Sequence, residues 1–478
     1  MFICVHQWLF SPMIVMKFGG TSIEDAPSIE RVAEIIRARL DRKPVIVVSA
    51  MGKTTRKLLQ AAEASAAGDS KTTLGIVADL KTRHSSEARR LVRHSDGREV
   101  FSLIEKHFDE LKKLLEGLAV LGEVPPRGLD KILAYGELLS SALLTDALFE
   151  RGIPARLFDA RELIKTDDRY GSASPLFEVT DPRIRDTIMP AIDSGVVPVV
   201  QGFIGSSRDG ATTTLGFEGS DYTATILGAA LDAEDVQIWK DVSGLMTADP
   251  EIYPRARTVK RCSFAEAAEL THFGAKVLHP KAIQPATRKN IPVHVYNSKR
   301  PEDAGTAISS DMLECSNPIK SIAYKRPVTI ITATANTIAD GSRFISADDL
   351  LRALLDVLSK RRAHPLITAV SASTAVVALD ARDLKHGGRD LIEAISDYGS
   401  AVAQPDRAIV SLVGEGLRSD SSILSRVFKA IETVAVEMIS HGSSPLTMSF
   451  VIAQSDVEAV IERLHAVFFA SLDPNVFQ

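Results

Sequence analysis

The 478-residue sequence is poor in cysteine and in aromatic residues, and it has no large excess of either charge. Its three cysteines, Cys4, Cys262 and Cys315, are too few and too widely spaced for a disulfide framework or a metal cluster, which favours a reducing compartment. The net charge of −5 does not indicate nucleic-acid binding. No unbroken apolar run approaches the length of a membrane span. We therefore expect a cytoplasmic protein with neither nucleic acid nor membrane as a partner.

Two common nucleotide-binding motifs are also missing. The sequence has no GxxxxGK[ST] phosphate loop and no spaced GxGxxG fingerprint, which excludes a P-loop enzyme and gives no support to a dinucleotide fold. His279, which precedes Pro280, has no companion at metal-ligand spacing. We therefore predict no protein-held metal and a structural role for this histidine.

The length of the chain predicts two or three domains. Residues 1–12 lack a basic start and a small-residue cleavage site, and we interpret them as an N-terminal extension with no role in the fold. Residues 13–312 alternate unbroken apolar strands, at 14–18, 44–49, 154–158, 196–204, 236–239 and 291–296, with helical patterns. A long helical region at 60–150 is interrupted at Pro125–Pro126. This alternation predicts an α/β domain with a mainly parallel sheet.

Residues 319–478 have shorter and more regular elements. Two copies of a β-α-β-β-α-β unit are predicted, at 319–403 and 405–478, with Ala403–Gln404–Pro405 as the linker between them. A duplicated α+β sandwich of this kind is more often a binding or regulatory module than a catalytic one.

Glycine, serine and lysine cluster where the predicted strands end. The central stretch, residues 201–231, passes from a strand through a Gly/Ser/Thr loop to Gly219–Ser220–Asp221, which opens a helix. Such a turn directs backbone N–H groups at an anionic ligand, although an ordinary capped helix start has the same pattern. Lys17 before Gly19–Gly20 is a candidate phosphate contact, or alternatively a surface lysine before a turn.

Each of three further candidates likewise has a functional and a purely structural interpretation. Lys240–Asp241 ends another strand, and it either borders a nucleotide or is a solvated pair. Lys276 is either a site residue or a cation at a helix C-terminus, and Glu137 either binds a substrate amine or is an exposed helical glutamate.

Six motifs together resemble the aspartate kinases. KFGGTS, VVSAMGKTT, YGELLSSALL, TTTLG followed by GSDYTA, IWKDVSGLMTADP and FGAKVLHPKAI occur in that family's order, and the likeness extends from Met13 across the chain. The resemblance implies a monofunctional enzyme with the amino-acid kinase fold, followed by two ferredoxin-like ACT units. It implies transfer of the ATP γ-phosphoryl group to the β-carboxylate of L-aspartate, the first step of lysine, threonine and methionine biosynthesis. Mg²⁺ would arrive with ATP, lysine or threonine would be the effector at the ACT units, and ACT pairing would give a homo-oligomer.

The resemblance also assigns residue roles. The catalytic residues would be Lys17, Asp221 and Lys276. Aspartate would contact Thr54, Glu137, Phe217, Glu218, Gly219 and Ser220. ATP would contact Lys17, Phe18, Gly19, Gly20, Lys240, Asp241, Met246, Lys276 and Val277.

Phe217 departs from the family pattern, which places an arginine there to contact a substrate carboxylate. A benzyl ring cannot replace a bidentate guanidinium, and Arg208 in the preceding loop is a candidate substitute. Two alternatives therefore stay open: a related carboxylate kinase with another acceptor, and a catalytically silent ACT-type amino-acid sensor. The survival of Lys17, Asp221 and Lys276 argues against the sensor.

Overall fold

The structure is a computed structural model, which describes residues 13–92, 98–274, 278–310, 315–335, 346–361, 363–384, 388–396, 398–418 and 420–478. The predicted extension at 1–12 lies outside these residues. The chain forms two compact units, Met1–Gly244 with Leu278–Asp311, and Leu245–Val277 with Met312–Gln478.

The strands are β1 Ile14–Phe18, β2 Pro44–Val48, β3 Ala155–Phe158, β4 Lys165–Thr166, β5 Val197–Gln201, β6 Ile204–Ser207, β7 Thr212–Thr214, β8 Asp235–Lys240, β9 Arg261–Ser263, β10 Val293–Asn297, β11 Thr306–Ser309, β12 Ser321–Ala335, β13 Ile367–Val370, β14 Thr374–Asp380, β15 Gly399–Val413, β16 Met438–His441 and β17 Thr447–Ala453. The helices are α1 Ala26–Arg37, α2 Thr54–Ala66, α3 Ser70–Leu91, α4 Arg98–Leu121, α5 Pro126–Leu133, α6 Tyr135–Glu150, α7 Ala160–Leu163, α8 Phe177–Asp193, α9 Gly219–Ala230, α10 Phe264–His272, α11 Pro280–Lys289, α12 Ala347–Lys360, α13 Arg389–Ala394, α14 Ser422–Ala430 and α15 Val457–Phe468.

The first unit is built on the mainly parallel sheet that the sequence predicts. The strands β3, β5, β2, β1, β8 and β10 lie side by side in parallel, and β11 pairs antiparallel with β10. Every residue of β1 and β2 is buried, which accounts for their unbroken apolar sequences. The carboxyl ends of the parallel strands meet at one edge, where ligands of such sheets bind.

The helical region before β3 breaks at Pro125–Pro126 as predicted, but it begins at Thr54 rather than at residue 60 and is also interrupted between α2 and α3. Pro125 is the N-cap of α5 and Pro126 its first residue, a position where a missing N–H costs nothing. The stretch Pro126–Glu150 is long enough and, on average, apolar enough to cross a membrane, but charged residues such as Glu137 and Asp146 interrupt it, so it is not an unbroken apolar run. Most of this stretch is buried inside the unit, as in the core helix of a folded domain.

The predicted strand at 196–204 is two strands. β5 ends at Gln201, and the left-handed φ of +69° at Phe203 turns the chain before β6 begins. β6 then pairs with β4 and β7 in a small separate sheet. Apolar periodicity does not report a turn between two buried strands, so the break was missed.

The second unit carries a six-stranded sheet in the order β13-β14-β12-β15-β17-β16. The two predicted sets of elements occupy its two sides, and the long strands β12 and β15 run through both. The C-terminal part of β12 pairs with β14 and with the start of β15, whereas Ser321–Lys325 pairs with the end of β15. The strand of the second set at Ile409–Val413 is therefore paired with Ser321–Lys325, which precede the first set in the chain.

The predicted linker at Ala403–Gln404–Pro405 is wrong in structural terms, since these residues lie inside β15. Proline suggests a strand end, but it is tolerated where the ladder is interrupted. The register of β12 against β15 shifts between Lys325 and Ile330, and Asp406 has a left-handed φ of +59°. This irregularity, rather than a linker, separates the two halves.

Candidate active site

The turn after β1 is hydrogen-bonded to the end of β8. The two strands pair in parallel with Phe18 opposite Trp239. The Trp239 carbonyl accepts a hydrogen bond from Gly19 N (2.9 Å) and another from the Ser22 hydroxyl (3.2 Å). Lys17 and Lys240 are consequently held at neighbouring strand ends.

A buried carboxylate lies between these two lysines. Asp221 Oδ1 is 2.5 Å from Lys17 Nζ, and Asp221 Oδ2 is 2.8 Å from Lys240 Nζ. Burial alone would raise the pKa of Asp221, but the two ammonium groups outweigh it and hold the pKa below its ordinary value. For Lys240, burial is likewise outweighed by Asp221 and Glu218, which raise its pKa. Asp221 and Lys240 therefore stay charged at neutral pH.

The first turn of α9 places Asp221. Glu218 precedes the helix in a left-handed conformation (φ +53°), and its carboxylate accepts a hydrogen bond from the His279 backbone N–H and lies 3.5 Å from Lys240 Nζ. Gly202 lies directly against Ser220, where an added Cβ would be 2.5 Å from the serine Cβ. The start of this helix is fixed by contacts from three other segments.

Glu137, on the buried helix α6, lies on the wall of the same cavity. Its side chain accepts a hydrogen bond from Ala50 N (3.1 Å) through Oε1, whereas Oε2 is buried with no hydrogen-bond partner. Burial raises the pKa of Glu137 to about 8. A buried carboxylate with one unsatisfied oxygen is matched to a cationic ligand.

Two adjoining cavities surround these residues. The larger, about 650 Å³, is lined among others by Lys17, Glu137, Phe217, Ser220 and Asp221. The smaller, about 460 Å³, is bordered by polar and small residues: Lys17, Gly19, Gly20, Thr21, Glu24, Gly52, Lys53, Arg83, Lys240 and Asp241. The larger cavity contains both a carboxylate that can bind a cation, Glu137, and the ammonium groups of Lys17 and Lys240. The smaller cavity, with its basic side chains and glycines, is suited to an anion.

Gly20 is required by close packing of this wall. Its carbonyl accepts from Gly52 N (3.0 Å), and an added Cβ at Gly20 would lie 2.7 Å from the Ala50 carbonyl oxygen. The turns after β1 and β2 therefore touch backbone to backbone.

Several residues of the cavities were not predicted from the sequence, among them Asp130, Arg83 and Lys53. Asp130, on α5, is buried and accepts hydrogen bonds from Gly171 N and from the N–H and hydroxyl of Thr214. It fixes the rim of the larger cavity, and burial raises its pKa. Arg83 donates to the carbonyls of Gly52 (2.6 Å) and Glu24 (2.8 Å), and Lys53 lines both cavities. Asp130 and Arg83 lie on helices with no motif to mark them.

Among the other predicted residues, Glu218, Gly219 and Ser220 line the larger cavity, whereas the buried Phe18 and Thr54 line neither cavity. Thr54 is fully buried and its hydroxyl donates to the Met51 carbonyl, while Thr55 lines the larger cavity. Phe217 is 80% exposed, with its ring edge against His279 (6.0 Å between centroids). Arg208 is exposed and does not line either cavity. It therefore does not replace the missing arginine in this conformation.

The remaining predictions divide between the units and the undescribed residues. Lys276 and Val277 lie outside the described residues, and Met246 belongs to the second unit. His279 caps α11, its Nδ1 accepting from Lys281 N (3.2 Å), which is the structural role predicted for it.

Comparison with known proteins identifies the family. Residues 12–297 match the amino acid kinase family and residues 410–468 match an ACT domain. The chain is 35% identical to the chloroplastic Aspartokinase 2 of Arabidopsis thaliana over 96% of its own length and 85% of that protein. The chain belongs to the aspartokinases. It is also 30% identical to the Lysine-sensitive aspartokinase 3 of Escherichia coli (strain K12), over 96% of this chain and 100% of that one.

Solved aspartokinase structures share this fold. The E. coli aspartokinase III complex with aspartate and ADP superimposes with a TM-score of 0.84 at 29% identity, covering 96% of this chain and 100% of that chain. The complex of the same enzyme with lysine and aspartate gives 0.79 at 30% identity, covering 96% and 99%. The predicted family and fold are thereby confirmed, and the silent-sensor and altered-acceptor alternatives are not favoured.

Proposed function

We propose that this aspartokinase transfers the γ-phosphoryl group of ATP to the β-carboxylate of L-aspartate and forms 4-phospho-L-aspartate. The observation that carries the proposal is the shared cavity of Glu137 and the Lys17–Asp221–Lys240 cluster. The acceptor must present an ammonium group to Glu137 and an anion to the cluster of two lysines and Asp221. An amino acid with a side-chain carboxylate has both groups.

Glu137 holds the acceptor's ammonium group in this proposal. The carboxylate oxygen that lacks a hydrogen-bond partner gains one, and the buried charge is neutralised. Because the free carboxyl group has a pKa of about 8, binding of the ammonium group near pH 7 expels its proton.

Lys17 and Lys240 act on the transferring group. The acceptor carboxylate is already ionised, so the reaction needs no general base but does need positioning and positive charge around the phosphoryl oxygens. Asp221 keeps the two ammonium groups close together without cancelling both charges. The backbone at Gly19 and Gly20 leaves the phosphates free access to the smaller cavity.

Mg²⁺ would enter as the ATP complex. The described residues contain no group of three or more His, Cys, Asp or Glu able to hold a metal, whereas Glu24 and Asp241 border the smaller cavity. One or two carboxylates, with phosphate oxygens and water, are the usual environment of a nucleotide-bound Mg²⁺. When bound, the ion neutralises phosphate charge.

Regulation and assembly are proposed from the second unit. We infer that its duplicated ACT-type sheet binds an amino-acid effector, lysine or threonine, and that it pairs with a second copy in a homo-oligomer. Feedback by either amino acid suits an enzyme that begins lysine, threonine and methionine biosynthesis.

The proposal is tested by trapping the acyl phosphate with hydroxylamine. Wild type should form aspartyl hydroxamate with ATP, Mg²⁺ and aspartate, and Lys17→Ala should reduce the rate by at least about 10²-fold. A parallel screen of other amino-acid carboxylates checks the acceptor. A better rate with another acceptor would replace aspartate, and no turnover above Lys17→Ala with any acceptor would refute the kinase activity.

A further inference from the structure

The larger cavity presents three ammonium groups, but two of them share one counter-ion. Lys17 and Lys240 both contact Asp221. The third is Lys53, which lines the same cavity. Across the described part of the chain, Lys53 has no carboxylate partner. Its charge is therefore available to a ligand.

A dicarboxylic amino acid needs such a charge. Its ammonium group would pair with Glu137 and its reacting carboxylate would lie near Lys17, which leaves the second carboxylate without a partner. Phe217 offers no charge, and Arg208 is exposed outside the cavity lining. Arg83 borders only the smaller cavity and is engaged with two backbone carbonyls.

The backbone at Lys53 gives independent support. Lys53 has φ +62° and ψ +4°, the left-handed conformation that glycine adopts without strain and lysine does not. Strain of this kind is found where a side chain is needed at a fixed place. The preceding residue, Gly52, is hydrogen-bonded to Gly20, so the loop that carries Lys53 is anchored beside the phosphate cavity.

We propose that the Lys53 ammonium group binds the acceptor's α-carboxylate and thereby selects a dicarboxylic amino acid over its α-amide. The inference rests on the proposed function, since it assigns a specificity residue to that acceptor site. Lys53 also borders the smaller cavity, and a phosphate contact is the competing role.

Steady-state kinetics with two acceptors separate these roles. The acceptors are L-aspartate and its α-carboxamide analogue, with ATP varied in turn. Wild type should prefer aspartate by at least about tenfold in kcat/KM. Lys53→Met should raise the KM for aspartate and abolish the preference with the KM for ATP unchanged, and Lys53→Arg should restore the preference. The exposed neighbour Arg56, mutated as Arg56→Met, is the matched control and should behave as wild type.

Lys53→Gly separates loss of the ammonium group from loss of stability. It relieves the left-handed strain, so its melting temperature should equal or exceed that of wild type while the preference is lost as in Lys53→Met. A raised KM for ATP, or an equal loss for both acceptors, would overturn the proposal.

Calorimetric titration with aspartate tests the site without turnover. Active wild type with unchanged acceptor preference in Lys53→Met would refute only the role of Lys53. Inactive wild type that still binds aspartate through Lys53 would refute only the kinase activity. Failure of wild type to bind aspartate would overturn both.

Discussion

Gly202 and Ser220 are in direct backbone-to-side-chain contact, so that a Cβ on Gly202 would lie 2.6 Å from the Ser220 Oγ and 2.9 Å from its Cα. Gly202, which directly follows β5, thus determines how closely the first turn of α9 approaches the sheet. Asp221, the next residue, takes its position from this contact.

Gly202→Ala should therefore reduce kcat without abolishing folding. A shift of the helix start by about 1 Å would misplace Asp221 and both lysines, and misplacement on that scale costs on the order of 10²-fold in rate. The control is Gly75→Ala in α3, where an added Cβ meets nothing within 4 Å. That variant should keep its activity and gain about 0.5–1 kcal/mol in stability. Equal kcat in the two variants would show that the contact does not position the site.

Asp221→Asn should destabilise the protein as well as inactivate it. Removing the carboxylate leaves Lys17 and Lys240 buried without the counter-charge between them, which typically costs about 3–5 kcal/mol. Urea unfolding measures this loss. Asp232→Asn is the control, because Asp232 is an exposed partner of Lys289 and its loss should cost no more than about 1 kcal/mol. Similar unfolding free energies for the two variants would contradict the buried cluster.

Glu137→Gln should bind aspartate poorly yet raise thermal stability at alkaline pH. The folded-state pKa of about 8 lies above the ordinary 4.5, so the folded protein holds a proton that the unfolded chain releases between these values. Wild-type stability therefore falls as pH rises from 4.5 to 8, by about 1.4 kcal/mol per unit of pKa shift at most. The glutamine variant lacks this slope, and its advantage in melting temperature should be larger at pH 8.5 than at pH 5.

The same variant tests the ammonium contact. The wild-type KM for aspartate should fall as pH rises toward 8, because the carboxylate form binds the ammonium group, and Glu137→Gln should lose that dependence. Glu63→Gln, an exposed change on α2, should leave both pH profiles as in wild type. A wild-type KM that does not vary between pH 6.5 and 8.5 would speak against Glu137 as the ammonium partner.

Phe217→Arg should strengthen aspartate binding. The ring of Phe217 is mostly exposed at the cavity and contacts only the edge of His279 among aromatic groups of the described residues. A guanidinium there adds a charge-assisted contact of about 1.5–3 kcal/mol, or roughly tenfold or more in KM. Phe149→Arg, at a 70% exposed site on α6 outside both cavities, should have no effect. An unchanged KM in Phe217→Arg would mean that the acceptor does not reach this rim.

The sequence predicted the strand ends and the helix start that carry the charged cluster. Lys17 and Lys240 lie at the ends of parallel strands, and the sheet brings such ends together, whereas Asp221 opens the helix that follows the small sheet of β6 and β7. Glu137 was predicted only as one of two readings, because the unbroken burial of α6 is a tertiary property. Asp130, Arg83 and Lys53 were missed, since their partners lie far along the chain or their significance depends on a backbone angle.

The second sheet was likewise predicted only in part. The order of helices and strands in residues 347–468 follows the predicted β-α-β-β-α-β units, because each element has a clear apolar period. The pairing of Ser321–Lys325 with the end of β15 was not foreseen, because period-2 patterns do not name a strand's neighbour.

That pairing sets an order for synthesis on the ribosome. When Ser321–Lys325 emerges, its partner segment at Ile409–Val413 has not yet been translated, and the whole first set of regulatory elements must follow before the two can meet. Long-range pairing of this kind is slow to form and leaves an apolar strand edge open meanwhile. The edge of Ser321–Lys325 therefore stays unpaired in the nascent chain until β15 is complete. A chaperone would cover this strand edge during that interval.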